Sequence, residues 1–315
     1  MLLFKRFLPL ISAAAALLVH LLVPNSPKFF DKPLPFFTFL LSAAAVALAI
    51  CIVVSFFKKY FREIYTHNAP FYAMAILVLN IYNIVTLKLM LLPSIYFPCL
   101  DKIFNVFVKD KFFLLKCLGH SARLLFSGFG FGLVCGLITG ILVGWSKRWS
   151  YWVTPLIKII GPIPSTAWIP IALVCFPTTR QASIFLIALA VWFPTTVLTS
   201  SGISNVKNAY FEVASTLGAN TFQKIFKIAL PDAMPSIFIG VFNGTCASFL
   251  TLMTAEMLGV KFGIGWYINW QREVLAYANV YAGLITIAVS FSLFITALFK
   301  VRDKLLSWQK GVIKW

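Results

Sequence analysis

Long apolar runs separated by short polar segments make up most of this chain. About eight of the runs are near the length of roughly 20 residues that a helix needs to cross the hydrocarbon layer of a membrane. The pattern therefore predicts an all-α fold, that of a polytopic α-helical membrane protein. The predicted spans are residues 7–23, 36–57, 71–92, 121–144, 155–176, 182–201, 233–258 and 280–299.

Composition and charge agree with this class. The 315 residues are 60% hydrophobic and only 11% charged, whereas charged residues make up about a quarter of a soluble domain. The formal net charge of +18 comes from Lys and Arg at the ends of apolar runs, as the positive-inside rule gives cytoplasmic loops. We therefore expect a multi-pass protein of the cell (inner or plasma) membrane, in contact with lipid, with cytoplasmic termini and no nucleic-acid partner.

The first hundred residues are rich in phenylalanine and alanine and carry no recognisable polar motif. The first run follows Lys5 and Arg6 as in a signal peptide, but it lacks a small-residue cleavage site and is interpreted as an uncleaved anchor helix. Residues 1–100 are thus predicted to be an N-terminal group of membrane helices that pack or face lipid. The polar stretch 101–116 is predicted to be an outer loop or a segment along the membrane surface.

Glycine recurs at every fourth position in the fourth predicted span. That spacing forms one helical stripe, where missing side chains let a neighbouring backbone approach closely. A dinucleotide-binding loop at Gly128-Phe129-Gly130 is excluded, because no strand precedes it and the third glycine is not at the required offset. The predicted helix-packing residues are Gly132, Gly136, Gly140 and Gly144.

The fifth span is interrupted by Gly161-Pro162-Ile163-Pro164 and later by Pro170. Proline removes a backbone donor and bends a helix, which membrane helices tolerate where neighbours or a cavity satisfy the freed groups. Two interpretations stay open from the residues alone. The break lines a transport path, or it is a structural kink.

The polar segment before the seventh span predicts two short amphipathic helices. Asn208 is expected to cap the first helix and Gly218 to end it. Asn220 and Gln223 form a capping pair for the second helix, and Pro231 suits the first turn of the next span. From physics alone, such helices could lie on lipid headgroups or transmit force from a soluble partner.

The same segment resembles the EAA loop of binding-protein-dependent ABC importer permeases. Glu212-Val213-Ala214, Gly218 and Ile228-Ala229-Leu230-Pro231 stand at the family's spacings, and the one departure is Val213 in place of alanine. Further motifs are similar to the nitrate, sulfonate, taurine and bicarbonate branch of these permeases. They are Ser121-Ala122-Arg123, the glycine stripe, Gly161-Pro162-Ile163-Pro164, Ala255-Glu256-Met257 and Gly263-Ile264-Gly265.

The resemblance covers about residues 117–310 and implies a type I, MetI-like ABC importer permease core with its coupling loop at 203–231. The family usually has one span ahead of this core, so residues 1–100 would supply extra membrane helices. Residues implied to couple to the ATPase are Glu212, Val213, Ala214, Gly218, Ile228, Leu230 and Pro231. Residues implied in translocation or gating are Pro162, Pro164, Glu256, Gly263 and Gly265.

The resemblance also implies what this permease would carry and bind. Its solute would be small and anionic or polar, like nitrate, a sulfonate, taurine or bicarbonate. Its partners would be two ABC ATPase subunits, a second permease copy in a homodimer, and an extracytoplasmic substrate-binding protein, with no cofactor in the chain. The sequence has no phosphate-binding loop of the Gly-x-x-x-x-Gly-Lys-Ser/Thr type, so ATP hydrolysis requires separate subunits.

Glu256 supports an alternative function. Burying a charge at the bilayer centre costs about 2.5–3.5 kcal/mol on insertion scales, so Glu256 is expected to face protein or water, or to snorkel to the interface. A proton-coupled secondary transporter would use it as the proton carrier, but such a mechanism needs further ionisable partners in the spans. No residues have catalytic or metal-ligand spacing, so an enzyme is not expected.

Overall fold

The computed structural model describes residues 2–26 and 35–309, and in these ranges the regular elements are helical. Short 3₁₀ segments (Ser165–Trp168 and Ser307–Gln309) and π segments (Ile84–Lys88 and Ile225–Ala229) adjoin the α-helices. The α-helices are α1 (Leu2–Leu22), α2 (Phe36–Phe57), α3 (Lys59–Asn83), α4 (Leu100–Lys109), α5 (Lys111–Trp145), α6 (Lys147–Ile160), α7 (Ile169–Cys175), α8 (Thr179–Ser204), α9 (Asn208–Thr216), α10 (Thr221–Lys224), α11 (Leu230–Gly259), α12 (Ile264–Glu273) and α13 (Tyr277–Leu305).

Across the described residues, seven helices are long and apolar enough to cross a membrane, or eight if α6 and α7 form one bent span. The all-α polytopic class and the number of spans are therefore confirmed. Several bounds were wrong: α3 begins at Lys59 rather than 71, and α5 begins at Lys111 rather than 121. Hydropathy marks the part of a helix that suits lipid, whereas its hydrogen bonds continue into polar sequence.

The stretch 101–116 is not a loop, which corrects the first of the two predictions made for it, while a position along the membrane surface stays a prediction. Most of its first half forms α4, an amphipathic helix whose buried apolar residues are Leu100, Ile103 and Val106. Its second half belongs to α5. The lysines of this stretch suggested a loop, but the three-residue spacing of the apolar positions is that of a helix with one buried face.

The chain divides into two compact units. The N-terminal unit comprises Met1–Phe112 with Trp270–Ala282, and the core unit comprises Phe113–Asn269 with Gly283–Trp315. The division predicted from sequence, at 1–100 and 117–310, stays a prediction. The expected cytoplasmic position of the termini concerns Met1 and residues 310–315, which lie outside the described residues.

In the N-terminal unit, a buried lysine holds the carboxyl end of α1. Lys88 is 8% exposed, and its Nζ donates hydrogen bonds to the carbonyls of His20 (2.7 Å) and Val23 (2.5 Å) and to Oδ1 of Asn25 (2.8 Å). The last carbonyls of a helix lack partners in the helix itself, and a cation there also favours the helix dipole.

In the core unit, the glycine stripe of α5 lies against α8. A Cβ added at Gly136 would stand 2.8 Å from Cβ of Thr195, and one added at Gly140 would stand 2.6 Å from Cβ of Thr199. Real Cβ atoms do not approach so closely, so the separation of these helices requires glycine. An added Cβ would also come too close to atoms of α8 at Gly128, Gly132 and Gly144.

Candidate functional site

The loop between α8 and α11 is built around a sharp turn at Gly218. The residue has φ +76°, in the left-handed region that favours glycine. Its N–H donates to the carbonyl of Ser215 (3.0 Å), and the N–H of Ala219 donates to that of Ala214 (2.9 Å). These two bonds form a Schellman motif. The prediction that Gly218 ends the first helix is confirmed.

The capping of the two loop helices was predicted correctly for one of them. Asn220 accepts from the N–H of Gln223 (2.8 Å), and the side chain of Gln223 accepts from the N–H of Asn220 (3.0 Å), which completes a capping box. Asn208 does not cap α9, which corrects the other prediction. Asn208 is already the first helical residue, and the N-cap position belongs to Lys207, whose side chain makes no capping hydrogen bond.

The second loop helix continues into the membrane span without a break. One helical stretch runs from Thr221 to Leu258, so the prediction of a separate second helix was wrong. Pro231 lies in the first turn of α11, as predicted, but a π segment precedes it, with the N–H of Leu230 donating to the carbonyl of Ile225. Because proline lacks an N–H and its ring crowds the carbonyl four residues back, a local change to wider bonding accommodates it.

The loop exposes several large apolar side chains. Leu217 is 81% exposed and Val213 is 59% exposed. On the opposite side of α9, Ala214 is buried and Phe211 packs edge-on against Trp145 of α5, with ring centroids 5.4 Å apart. We call the exposed set the apolar loop surface: Tyr210, Val213, Leu217, Phe222 and Phe226.

The other loop residues implied by the EAA resemblance have different positions. Glu212 and Gly218 are exposed beside the apolar loop surface. Ile228, Leu230 and Pro231 are half-buried on the helix that carries the loop into α11, where Leu230 packs against the core cluster around Ala229 and Ala233. The loop residues thus divide into an exposed part and an anchoring part.

The interruption in the fifth span is a bend. The α6 axis and the helical stretch Ser165–Cys175 meet at 86°. A Cβ at Gly161 would overlap the ring of Phe193 of α8, and Pro162 and Pro164 are both exposed.

A cavity of about 380 Å³ lies beside the bend, a size typical of sites for small molecules. The bend supplies Gly161, Pro164 and Ser165 to its wall. Helix α8 supplies Phe193 and Pro194, and α11 supplies Asn243, Ala247, Leu250 and Thr251. Pro162, the other proline predicted here, is not among the lining residues.

A hydroxyl pair joins the bend to α11. Oγ of Ser165 lies 2.6 Å from Oγ1 of Thr251, which donates to the carbonyl of Ala247 (2.9 Å). The hydrogen of Thr251 is therefore used within α11, so Ser165 is the donor to Thr251. This link fixes one wall of the cavity relative to another.

Glu256 is fully buried, at 0% exposure, which excludes the interpretation that it snorkels to water. Its Oε2 accepts the N–H of Gly265 (2.8 Å), and Oγ of Ser121 accepts the N–H of Ile264 (2.8 Å). Gly263 has φ +146°, and an added Cβ would overlap the Glu256 carboxyl group. The structure thus brings Glu256, Gly263 and Gly265 together around the turn that precedes α12.

Sequence reasoning missed Ser121, Ser165, Asn243 and Thr251 as site residues. Ser121 had been noted only as part of a family motif. Asn243 carried a usable signal, since an amide inside an apolar span needs a polar environment. The hydroxyls of Ser165 and Thr251 carried none, because serine and threonine in membrane helices commonly bond to their own backbone.

The fold and these features define a multi-pass membrane transport protein. The chain belongs to the binding-protein-dependent transport system inner membrane component family, which it matches over residues 132–307. It is 34% identical over 184 residues to the aliphatic sulfonates transport permease protein of Bacillus subtilis (strain 168), covering 58% of this chain and 67% of that protein. It is 32% identical over 190 residues to the bicarbonate transport system permease protein of Synechococcus elongatus, covering 59% of this chain and 65% of that one.

Another relative is the taurine transport system permease protein of Escherichia coli (strain K12). It is 29% identical over 177 residues, covering 56% of this chain and 64% of that protein. The chain thus spans about two thirds of the length of these relatives. Among solved structures, the inward-facing MetNI methionine ABC transporter matches with a TM-score of 0.52 at 18% identity, covering 62% of this chain and 98% of that chain. This likeness establishes the type I, MetI-like permease fold.

Proposed function

We propose that this chain is the permease subunit of an ATP-driven importer. It forms the path for a small anionic or polar solute and takes its driving force from separate ATPase subunits through the loop at 203–231. The observation that carries the proposal is the apolar loop surface, which is exposed and yet fixed by a Schellman motif on one side and a capping box on the other. Family membership supports it, and so do the names of the relatives, which are transport permeases for sulfonates, bicarbonate and taurine.

The apolar loop surface has the properties of a docking site. Large exposed apolar patches on proteins mark contacts with other proteins or membranes. A rigid turn at Gly218 presents Val213 and Leu217 at a fixed angle, which favours a groove in a folded partner over a fluid lipid surface. We assign the groove to an ATPase subunit, with Glu212 at the rim of the contact.

The same loop is mechanically connected to the cavity. The helical stretch Thr221–Leu258 carries Phe222 and Phe226 at one end and the cavity-lining residues Asn243 and Thr251 farther along. Displacement of the loop by a partner would therefore move a cavity wall through one continuous helical stretch, which includes the π segment Ile225–Ala229. The hydroxyl pair between Ser165 and Thr251 transmits the movement to the bend.

The complete transporter requires further subunits. One permease core per chain leads us to propose a homodimer with its two-fold axis along the membrane normal. Two ATPase subunits would dock on the two loops, and an extracytoplasmic substrate-binding protein would deliver the solute. Glu256, Gly263 and Gly265 would form part of the outer gate, with the carboxyl group bracing the turn before α12.

The secondary-transporter alternative has weaker support. A proton carrier must exchange protons with a water-filled path. Glu256 is fully buried and bonds to the backbone of Gly265, and it is not among the residues that line the cavity. These contacts favour a bracing role for Glu256.

Co-purification tests the proposal. The tagged chain is isolated from its native membrane, and ATP hydrolysis by the isolated complex is measured for the wild type and for Val213→Arg with Leu217→Arg. We expect the wild type to bring an ATPase and the double variant to lose at least nine-tenths of the activity, because two charges would enter an apolar contact. Ser215→Arg, at an exposed position of the same helix outside the apolar loop surface, is the matched control and should retain the activity.

Two results would contradict the proposal. One is a wild-type complex that carries no ATPase activity under any condition. The other is equal activity in the double variant and in Ser215→Arg, which would place the ATPase contact elsewhere on the chain.

A further inference from the structure

Asn243 is a polar side chain in an apolar span, and such a side chain is expected to face a polar space. It lies within α11, its side chain is exposed, and it lines the cavity beside the bend. Within the described residues its amide has no hydrogen-bond partner. Lipid offers no partner for an amide, whereas the cavity that Asn243 lines can supply one in the form of water or solute.

The donors available to a solute in this cavity can be counted. The hydrogens of Ser165 and Thr251 are both used, the first on Thr251 and the second on the carbonyl of Ala247. Among the described lining residues, that leaves the hydroxyl of Thr166 and the amide of Asn243, neither of which has a partner. An asparagine amide supplies two donors, so Asn243 dominates the free hydrogen-bonding capacity.

The cavity also lacks a counter-charge. None of the described residues that line it is charged. A path that lets its cargo leave must bind weakly, and neutral donors meet this need better than a buried lysine or arginine. A solute with several acceptor oxygens on one small group suits two amide hydrogens and a hydroxyl.

We propose that Asn243 is a specificity-determining residue of the transport path and that it contacts the oxygens of a small oxoanion or sulfonate through its amide. This inference rests on the proposed function. Thr166 supplies the second neutral donor, and the Ser165–Thr251 pair keeps the two donor-bearing walls in register. The apolar remainder of the wall, including Phe193 and Leu250, lies beside the carbon part of an organic solute.

The first test asks whether Asn243 faces an aqueous path. Asn243→Cys is treated with 2-sulfonatoethyl methanethiosulfonate, a small sulfonated thiol reagent that does not enter lipid. Leu293→Cys, on an exposed apolar position of α13, is the lipid-facing control. We expect Asn243→Cys to react at least about tenfold faster, and equal rates would overturn the inference. The four thiols that are not buried are first replaced by alanine: Cys51, Cys135, Cys175 and Cys246.

The second test asks whether the amide selects the solute. Uptake of ethanesulfonate, nitrate and bicarbonate is measured in proteoliposomes containing the complete transporter. Asn243→Leu keeps the size but removes both donors, and we expect it to raise KM about tenfold for the transported anion, the loss of one or two hydrogen bonds. Asn243→Asp should abolish uptake by repulsion, whereas Asn243→Ser should restore part of it.

The outcomes separate this inference from the proposed function. If the wild type neither recruits an ATPase nor takes up any probe, the proposed function fails. If the wild type transports and Asn243→Leu transports with unchanged KM, only the role of Asn243 fails. Loss of ATPase binding or of the dimer in Asn243→Leu would also overturn the inference, because it would assign the amide to assembly.

Discussion

The two compact units hold their helices together by different chemistry. In the core unit, α5 and α8 approach through glycines, and the gaps are filled by Thr195 and Thr199. In the N-terminal unit, buried polar side chains bind backbone groups at helix ends, as Lys88 does at the end of α1. The α5–α8 contact also contains side-chain hydrogen bonds, from Nε1 of Trp192 to Oγ1 of Thr139 (3.0 Å) and between the hydroxyls of Thr139 and Thr196 (2.7 Å). These bonds join side chains in the middle of two helices, whereas Lys88 binds oxygens at a helix end.

A second buried polar side chain in the N-terminal unit also binds a backbone group at a helix end. Oδ1 of Asp101 accepts the N–H of Phe37, at the start of α2, with a distance of 2.7 Å. Burial raises the pKa of Asp101, while the N–H of Phe37 and the charge of Lys88 act to lower it. An acidic group at a helix N-terminus and a basic group at a helix C-terminus both complement the helix dipole.

The difference between the two units indicates where residues needed for transport are expected. The family match begins at residue 132 and ends at 307, so most of the N-terminal unit lies outside it. The candidate loop at 203–231 and the cavity beside the bend both lie in the core unit. We therefore expect substitutions in the two units to have separable effects on stability and on transport.

The largest effect should come from filling the glycine stripe. Gly136→Leu would push a side chain into Thr195 and the carbonyl of Trp192, and we expect it to destabilise the protein by about 3 kcal/mol. Gly130→Leu on the same helix is the matched control, because an added Cβ there meets nothing within 4 Å. Thermal unfolding in detergent measures both. Equal melting temperatures would mean that α5 and α8 do not pack as described.

A smaller effect should follow from removing the buried cation. Lys88→Met keeps the chain length but leaves the carbonyls of His20 and Val23 without their partner, at a cost of about 2–3 kcal/mol. Lys59→Met removes an exposed charge from the start of α3 and should change stability little. Protease cleavage of the N-terminal unit reports the loss, while ATP hydrolysis by the complex should be retained. Loss of hydrolysis in Lys88→Met alone would contradict the separation of roles.

Much of the fold could be predicted from hydropathy. A backbone that crosses lipid must satisfy its own hydrogen bonds, and in this chain it does so as long apolar helices. The number of spans, the turn at Gly218 and the capping box at Asn220 were all predicted on this basis or from local cap chemistry. The start of α5 and the existence of α4 were not. In both places polar lysines occupy helical positions, and only the buried face distinguishes helix from loop.

The candidate sites also divide into features that the sequence predicted and features that it did not. Motif spacing identified the loop at 203–231 and the bend at Gly161-Pro162, because glycine and proline constrain the backbone wherever they occur. The cavity itself depends on which helices become neighbours, and that information is not local. Hence the sequence did not identify Asn243 and Thr251, which line the cavity because α11 lies beside the bend. It also left open whether Glu256 faces protein or water, and the side chain is buried in protein.

The most direct test of the central claim compares two substitutions at Gly218. In the proposed mechanism, the left-handed turn there fixes the helix that receives force from the ATPase. Asparagine tolerates this conformation and valine does not, and neither side chain meets a neighbour at its Cβ. ATP-driven uptake should therefore persist in Gly218→Asn and fall at least about tenfold in Gly218→Val. Equal uptake by the two variants would contradict the account, and so would a wild type whose uptake does not depend on ATP.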